Sequence, residues 1–284
     1  MRTCRATRWD GLGLALLLGL FILRPIVEPS TRAQSPAQPG SPALSDAEIE
    51  RFLQEARIVR TRGAGKGVTG SIRATLTDGT ITHDAQIQIV DERRTTGPSP
   101  KGPELNFRDS WTFNVAAYRL DRLIGLNLVP VSIERRYQTR VGAFTWWIDD
   151  VMMDEGTRQK KKIEPPNPRI WIETMQLVRI FDQLIYNMDR NLGNLLITND
   201  WRVWAIDHTR AFRLHRTLKN PETIRRCDRD LLEGLKRLDG ESLERELGEY
   251  LTKWERDSLL ARRDAIVKLI GDAGPGALFV RSQK

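Results

Sequence analysis

The chain has 284 residues, 40% hydrophobic and 29% charged, which suits one sizeable core or two lobes around a cleft and excludes a fibrous or wholly disordered protein. Of the net charge of +8, residues 1–33 hold +3, from five Arg against Asp10 and Glu28. The remainder is mixed in sign and shows no basic stripe interleaved with aromatics, so nucleic acid is not expected as a partner. His83, His208 and His215 stand at no zinc-ligand spacing from Cys227.

Arg2, Arg5 and Arg8 precede an apolar run from Leu12 to Leu23, closed by Arg24-Pro25 and followed by small residues around Thr31-Arg32-Ala33. Residues 1–33 read as a secretory signal peptide. An uncleaved N-terminal anchor is the alternative, although the run is short against the ~20 apolar residues of a spanning helix. The protein is therefore expected to be exported: periplasmic, extracellular or in the secretory pathway. Cleavage removes Cys4 and leaves Cys227 alone, so no intrachain disulfide is expected.

Residues 34–45 have the composition of a flexible linker. A helix is predicted from Ser45, with acidic residues in its first turns. Residues 46–150 then read as a β-rich lobe. A strand over 56–61 leads into Gly65-Lys66-Gly67-Val-Thr-Gly70, and 71–77 alternates in polarity. Asp78-Gly79 predicts a two-residue hairpin turn. That register sets Leu76 against Ile81, Ile72 against Ala85, Thr75 against Thr82 and Arg73 against Asp84. Residues 93–108 read as a loop, 110–124 as a helix ended by Gly125, and 128–133 and 142–148 as strands. Residues 151–170 read as an inter-lobe connection, and 171–284 as a mostly helical lobe. A long amphipathic helix over 171–186 leads there to two short strands around Asn199-Asp200. The whole is an α+β, two-lobed layout. Cys227 reads as a solvent-facing helical residue, with neighbouring arginines able to lower its pKa.

Chemistry concentrates between Tyr186 and Phe212. Asp189 follows the long helix, Asn194 comes five residues later, and Asp207 ends a short strand. An Asp in a loop can accept a proton from an acceptor hydroxyl. An Asn and a second Asp offer hard oxygens to magnesium. The Asp-x4-Asn spacing with a later strand-end Asp is the arrangement used for phosphoryl transfer. The glycine loop, with Gly65, Gly67, Gly70 and Lys66, is followed by a strand rather than a helix. That fits a flap over a triphosphate better than a dinucleotide fold.

These residues resemble the kinase branch that holds the secretory-pathway kinases of the Golgi casein kinase type. The chain is also similar to phosphatidylinositol 3-/4-kinases and HipA-type kinases. The carrying segments are 116–130, Asn187-Met-Asp-Arg190, Gly193-Asn194 and Ile206-Asp207-His-Thr-Arg-Ala-Phe212. The resemblance implies a two-lobed protein-kinase-like fold, with one main helix in the β-rich N-lobe and a mostly helical C-lobe. It implies ATP and Mg (or Mn) as cofactors, Asp189 as the catalytic residue, and Asn194 and Asp207 as metal ligands. The acceptor, whether protein, glycan or lipid, stays open, as does nucleotidyl in place of phosphoryl transfer. Two positions depart from the family pattern. Gln88 stands where a phosphate-binding Lys is expected, and Asn114 stands where its acidic partner is. The loss is matched, and it leaves two readings: an exported phosphotransferase, or a pseudokinase serving as a nucleotide-binding regulatory module.

Overall fold

The computed structural model describes residues 44–63, 71–97 and 102–281. The leader 1–33, the linker up to residue 43, and the glycine flap with Gly65, Lys66, Gly67 and Gly70 lie outside the described residues. Among the described residues no helix is long and apolar enough to cross a membrane.

The described chain starts with α1 (Asp46–Glu55), capped where the sequence places its start: the Ser45 backbone N–H donates to Glu48, and the Glu48 N–H donates back to Ser45 Oγ. Then come β1 (Arg57–Gly63), β2 (Ile72–Thr77), β3 (Thr82–Gln88), β4 (Asp91–Gly97) and β5 (Glu104–Ser110). They are followed by α2 (Thr112–Leu123), β6 (Ser132–Tyr137) and β7 (Arg140–Trp146). Strands pair antiparallel in the order β1-β2-β3-β7-β6. Both α1 and α2 pack on β6 and β7.

The β2–β3 register differs from the expected one by two residues. Thr77 faces Thr82 and Thr75 faces Asp84. The cause is Asp78, whose carboxylate accepts from the N–H groups of Thr80 and Ile81 and widens the loop to four residues. A two-residue slip preserves the faces, so Ala74, Leu76, Ala85 and Ile87 stay buried. The expected Arg73–Asp84 ion pair also forms, at 2.5 Å, but diagonally.

Residues 93–97 and 104–108 are strand, not loop. β4 and β5 form an antiparallel hairpin. β4 is exposed along most of its length, so no apolar alternation marks it in the sequence. Ion pairs moor the hairpin instead: Arg108 to Glu255 at 2.5 Å, and Glu104 to Arg210 at 2.6 Å. Arg213 Nε lies 2.5 Å from the other Glu104 oxygen, close enough for an ion pair though not aligned as a hydrogen bond.

The expected connection over 151–170 carries β8 (Val151–Asp154) and α3 (Glu155–Lys161), which Asp154 caps through the Thr157 N–H. The helical lobe holds α4 (Pro168–Leu184), β9 (Leu195–Thr198) and β10 (Val203–Ala205), then β11 (Cys227–Asp228), α5 (Arg229–Arg237), α6 (Gly240–Leu247), α7 (Lys253–Ala273) and β12 (Leu278–Phe279). Cys227 lies in β11, not on a helix. It is fully buried, and burial, helped by Asp228, pushes its thiol up to about 12. It is an inert core residue, not an activated one.

One hydrophobic cluster runs from Leu76 and Ile87 in the sheet, through Phe113 and Leu120 of α2, to Phe181, Leu184, Phe212 and Ile266. The Phe113 and Phe212 rings, 5.4 Å apart, join α2 to the chain beyond β10. Truncating either to Ala would cost about 3–5 kcal/mol.

Candidate active site

α4 delivers the chain to the cleft. Its last turn ends at Ile185, and Tyr186 takes a left-handed φ of 48°, which turns the backbone out of the helix. The buried Asn187 side chain then donates to Asp182 (3.2 Å) and accepts the Asp189 N–H (3.0 Å). Asp189 thus has a fixed backbone and an exposed side chain.

Arg190 holds three segments of the cleft together. Its Nε donates to Asp182 at 3.0 Å, and Nη1 donates to the carbonyls of Asn194 (3.1 Å) and Ile206 (2.8 Å). Nη2 lies 2.9 Å from His208 Nε2. One guanidinium therefore ties the Asp189 loop to Asn194 and to the residues on both sides of Asp207. The Ile206 N–H also donates to the Asn194 carbonyl (3.0 Å). Asp207 itself sits at φ 57°, a left-handed kink that swings its side chain out of line with β10. Sequence reasoning singled out Asp189, Asn194 and Asp207, and missed the clamping role of Arg190 and His208. The Asp-Arg dipeptide was the available signal.

Gln88 ends β3 and Asn114 lies in the first turn of α2. They are 2% and 4% exposed, so every polar atom needs a partner. The His208 backbone N–H can only donate, and it meets Asn114 Oδ1 at 2.8 Å. Asn114 Nδ2 must then face an acceptor, and it meets Gln88 Oε1 at 2.6 Å. That leaves Gln88 Nε2 to donate to Asp207 Oδ1, at 3.3 Å. The amide pair inferred from the sequence is thus a single donor–acceptor relay ending on Asp207. Thr209 Oγ1 lies 3.3 Å from the same oxygen. A water-sized cavity of about 10 Å³ lies against the relay, lined by Gln88, Asn114, Thr145, Ala205 and Asp207. Arg73 does not replace the missing lysine: it pairs with Asp84 and stacks on Trp147, 4.0 Å from the ring centroid.

His208 is fully buried. Burial, and then the charge of Arg190, hold its imidazole well below the ordinary range of 6.5. A neutral ring suits its role as acceptor for Arg190. Because the folded state resists protonation, stability is full above about pH 6.5 and is lost as pH falls below it. Asp121, raised to about 6 by burial, works in the opposite sense below that value. Comparing wild type with His208→Gln, which keeps an acceptor for Arg190, cancels the Asp121 effect. Between pH 7 and pH 5 wild type is expected to lose about 2 kcal/mol relative to the variant in urea denaturation. Parallel profiles would mean that His208 titrates normally.

Beside the Asp189 loop lies a groove of about 930 Å³ between the β4–β5 hairpin and the helical lobe, lined by Arg93, Arg94, Met188, His215 and Trp254.

No protein-family model matches the chain, and no curated protein matches it in sequence. Solved structures do. The structure of hydra Fam20 with sugar superposes with a TM-score of 0.60 at 16% identity, covering 83% of this chain and 92% of that one. A Golgi casein kinase with Mn/ADP bound gives 0.61 at 12%, covering 83% and 78%. A further Golgi casein kinase structure gives 0.58 at 13%, covering 83% and 77%. The chain has a kinase-like fold. At these identities the likeness is one of fold, and it bears out the α+β, two-lobed expectation.

Proposed function

We propose that the protein is a kinase-like phosphotransferase that uses ATP and a divalent metal, Mg or Mn. The observation that carries this reading is the tethering of Asp189, Asn194 and Asp207 through Arg190. A proton-accepting carboxylate and two oxygen ligands on one rigid support would suit phosphoryl transfer. The donor set fits the metal: Asp207 and Asn194 offer hard oxygens, and Gln88 holds one Asp207 oxygen while the other stays available. A bound divalent ion neutralises phosphate charge and orients the group to be transferred. The protein's own contribution is positional. Asp189 accepts the proton of the acceptor hydroxyl, the left-handed kink at 207 aims the metal-binding carboxylate, and the groove beside Met188 orients the acceptor. Gly65, Gly67 and Gly70, with Lys66, would cover the triphosphate.

The leader-like N-terminus supports export, and so does likeness to proteins described as Golgi kinases. The acceptor carries a hydroxyl on a protein, glycan or lipid. Labelled ATP with Mg or Mn and candidate acceptors tests the reading. Asp189→Asn is expected to lower kcat by roughly 10²–10⁴-fold while ADP binding persists. A folded, nucleotide-binding wild type with no turnover on any acceptor, water included, counts against it.

The Gln88–Asn114 relay favours a second reading, a nucleotide-binding regulatory module without catalysis. Thermal shift with ADP and Mn, in wild type and Asp207→Ala, reports binding. Measured turnover eliminates the regulatory reading.

A further inference from the structure

The groove beside Met188 is bordered by an apolar cluster that phosphoryl transfer does not use. Leu105 of β5 and Trp254 of α7 line it, and at 74% and 72% they are the most exposed large apolar side chains among the described residues. Leu214, half exposed, lines it too. The three come from separate segments, and the backbone is shaped to display them. In a regular strand Leu105 and Phe107 would share a face. Asn106 between them takes a left-handed φ of 54°, and Phe107 is buried while Leu105 stands out. The Arg108–Glu255 ion pair then joins β5 to the first turn of α7, where Glu255 also accepts from the capping Thr252. Leu105 and Trp254 are therefore carried by elements tied to each other.

The charges around this cluster are sorted by depth. Arg93, Arg94, Arg108 and Arg213 line the groove, against Glu104 and Glu255. Both acids are mostly buried, in ion pairs with Arg108, Arg210 and Arg213. That leaves Arg93 and Arg94 exposed at the rim, with Glu92 paired to Arg94. Lys253, beside Trp254, is exposed and pairs with Asp257. Solvent thus meets one Trp and two Leu side chains flanked by a surplus of positive charge. A protein interface centres on side chains seated in packed pockets, whereas these protrude, each on its own segment. A membrane surface takes such side chains singly: apolar bodies enter the acyl boundary, and cations meet anionic headgroups.

We propose that this face docks on an anionic lipid surface, with Leu105, Leu214 and Trp254 inserted and Arg93 and Arg94 against the headgroup phosphates. The inference does not depend on the phosphotransferase reading.

Residues 44–284 form one compact unit with its own core, so docking can be tested without the apolar leader. The test is cosedimentation of that unit with vesicles of phosphatidylcholine alone and of equal parts phosphatidylcholine and phosphatidylglycerol. Wild type is expected to bind the mixed vesicles, and to bind them less as salt rises. Combining Leu105→Ala with Trp254→Ala is expected to weaken that binding at least about tenfold, because two large apolar side chains no longer insert. Combining Arg93→Glu with Arg94→Glu is expected to weaken it by about tenfold or more on the mixed vesicles only. All four positions are exposed, so both variants should unfold in urea close to the wild-type midpoint. A wild type that binds neither vesicle overturns the inference, as does binding that the Leu105 and Trp254 changes leave intact. A wild type that instead pairs with a second copy in sedimentation velocity, and loses that pairing with the same two changes, marks a protein interface and overturns it as well.

Discussion

Asn114→Glu alone is expected to destabilise the protein by about 3–5 kcal/mol, and adding Gln88→Lys to restore most of that loss. The single change puts a carboxylate at a position 4% exposed. One of its oxygens can still accept the His208 N–H, but the other meets Gln88 Oε1, acceptor against acceptor. Flipping the Gln88 amide relieves that contact and turns Oε1 toward Asp207, which recreates the conflict one step along. The relay cannot absorb a charge at one end. With Lys at 88 the ammonium satisfies both the new carboxylate and Asp207, and the charged pair that the amides stand in for is rebuilt. Urea denaturation of the two single variants and the double gives the coupling, expected at about 2–3 kcal/mol. Strict additivity would show that the two amides do not act as a pair. The double variant should also bind ADP roughly 10–100-fold more tightly, since a charged hydrogen bond to phosphate is worth about 1.5–3 kcal/mol.

Arg190→Ala is expected to cost about 3–5 kcal/mol and to abolish transfer. The substitution leaves Asp182 with an uncompensated charge in a part-buried site. It also strips donors from the Asn194 and Ile206 carbonyls and from His208. These groups belong to three separate segments, so they cannot all find new partners by a local shift. Arg190→Lys should recover less than half of the loss, because one ammonium cannot reach partners spread around a planar fork. Denaturant midpoints compared with Asp189→Asn, which leaves the clamp intact, separate scaffold from chemistry. Equal stability of the two variants would show that the clamp carries no energetic weight.

Segments whose apolar period matches their burial were legible in the sequence. α2 and α4 declare themselves because one face is core, and the β2–β3 hairpin because alternation and burial coincide. The β4–β5 hairpin does not: ion pairs to residues far along the chain hold it, and no local pattern records Glu104 meeting Arg210. The turn at Asp78 misled by two residues because a side-chain carboxylate set the loop length. At the site, spacing exposed Asp189, Asn194 and Asp207, and the matched loss at 88 and 114 signalled a pair before any contact was seen. Arg190 was visible as a letter but not as a clamp, since two of its acceptors are backbone carbonyls, which any residue could supply.

The amide relay has a consequence for how the protein comes together. Gln88 meets Asp207 across a sequence separation of 119 residues, and His208 meets Asn114 across 94. Bringing such distant segments into contact costs chain entropy that only the completed core repays. A nascent chain therefore acquires its strands and helices before it acquires a cleft. Neither half can carry a partial site: the first would strand two buried amides without a carboxylate, and the second would leave the His208 N–H and the kinked Asp207 with nothing to hold them. The relay is a property of the finished unit, and a truncation at the joint between the lobes should lose it altogether.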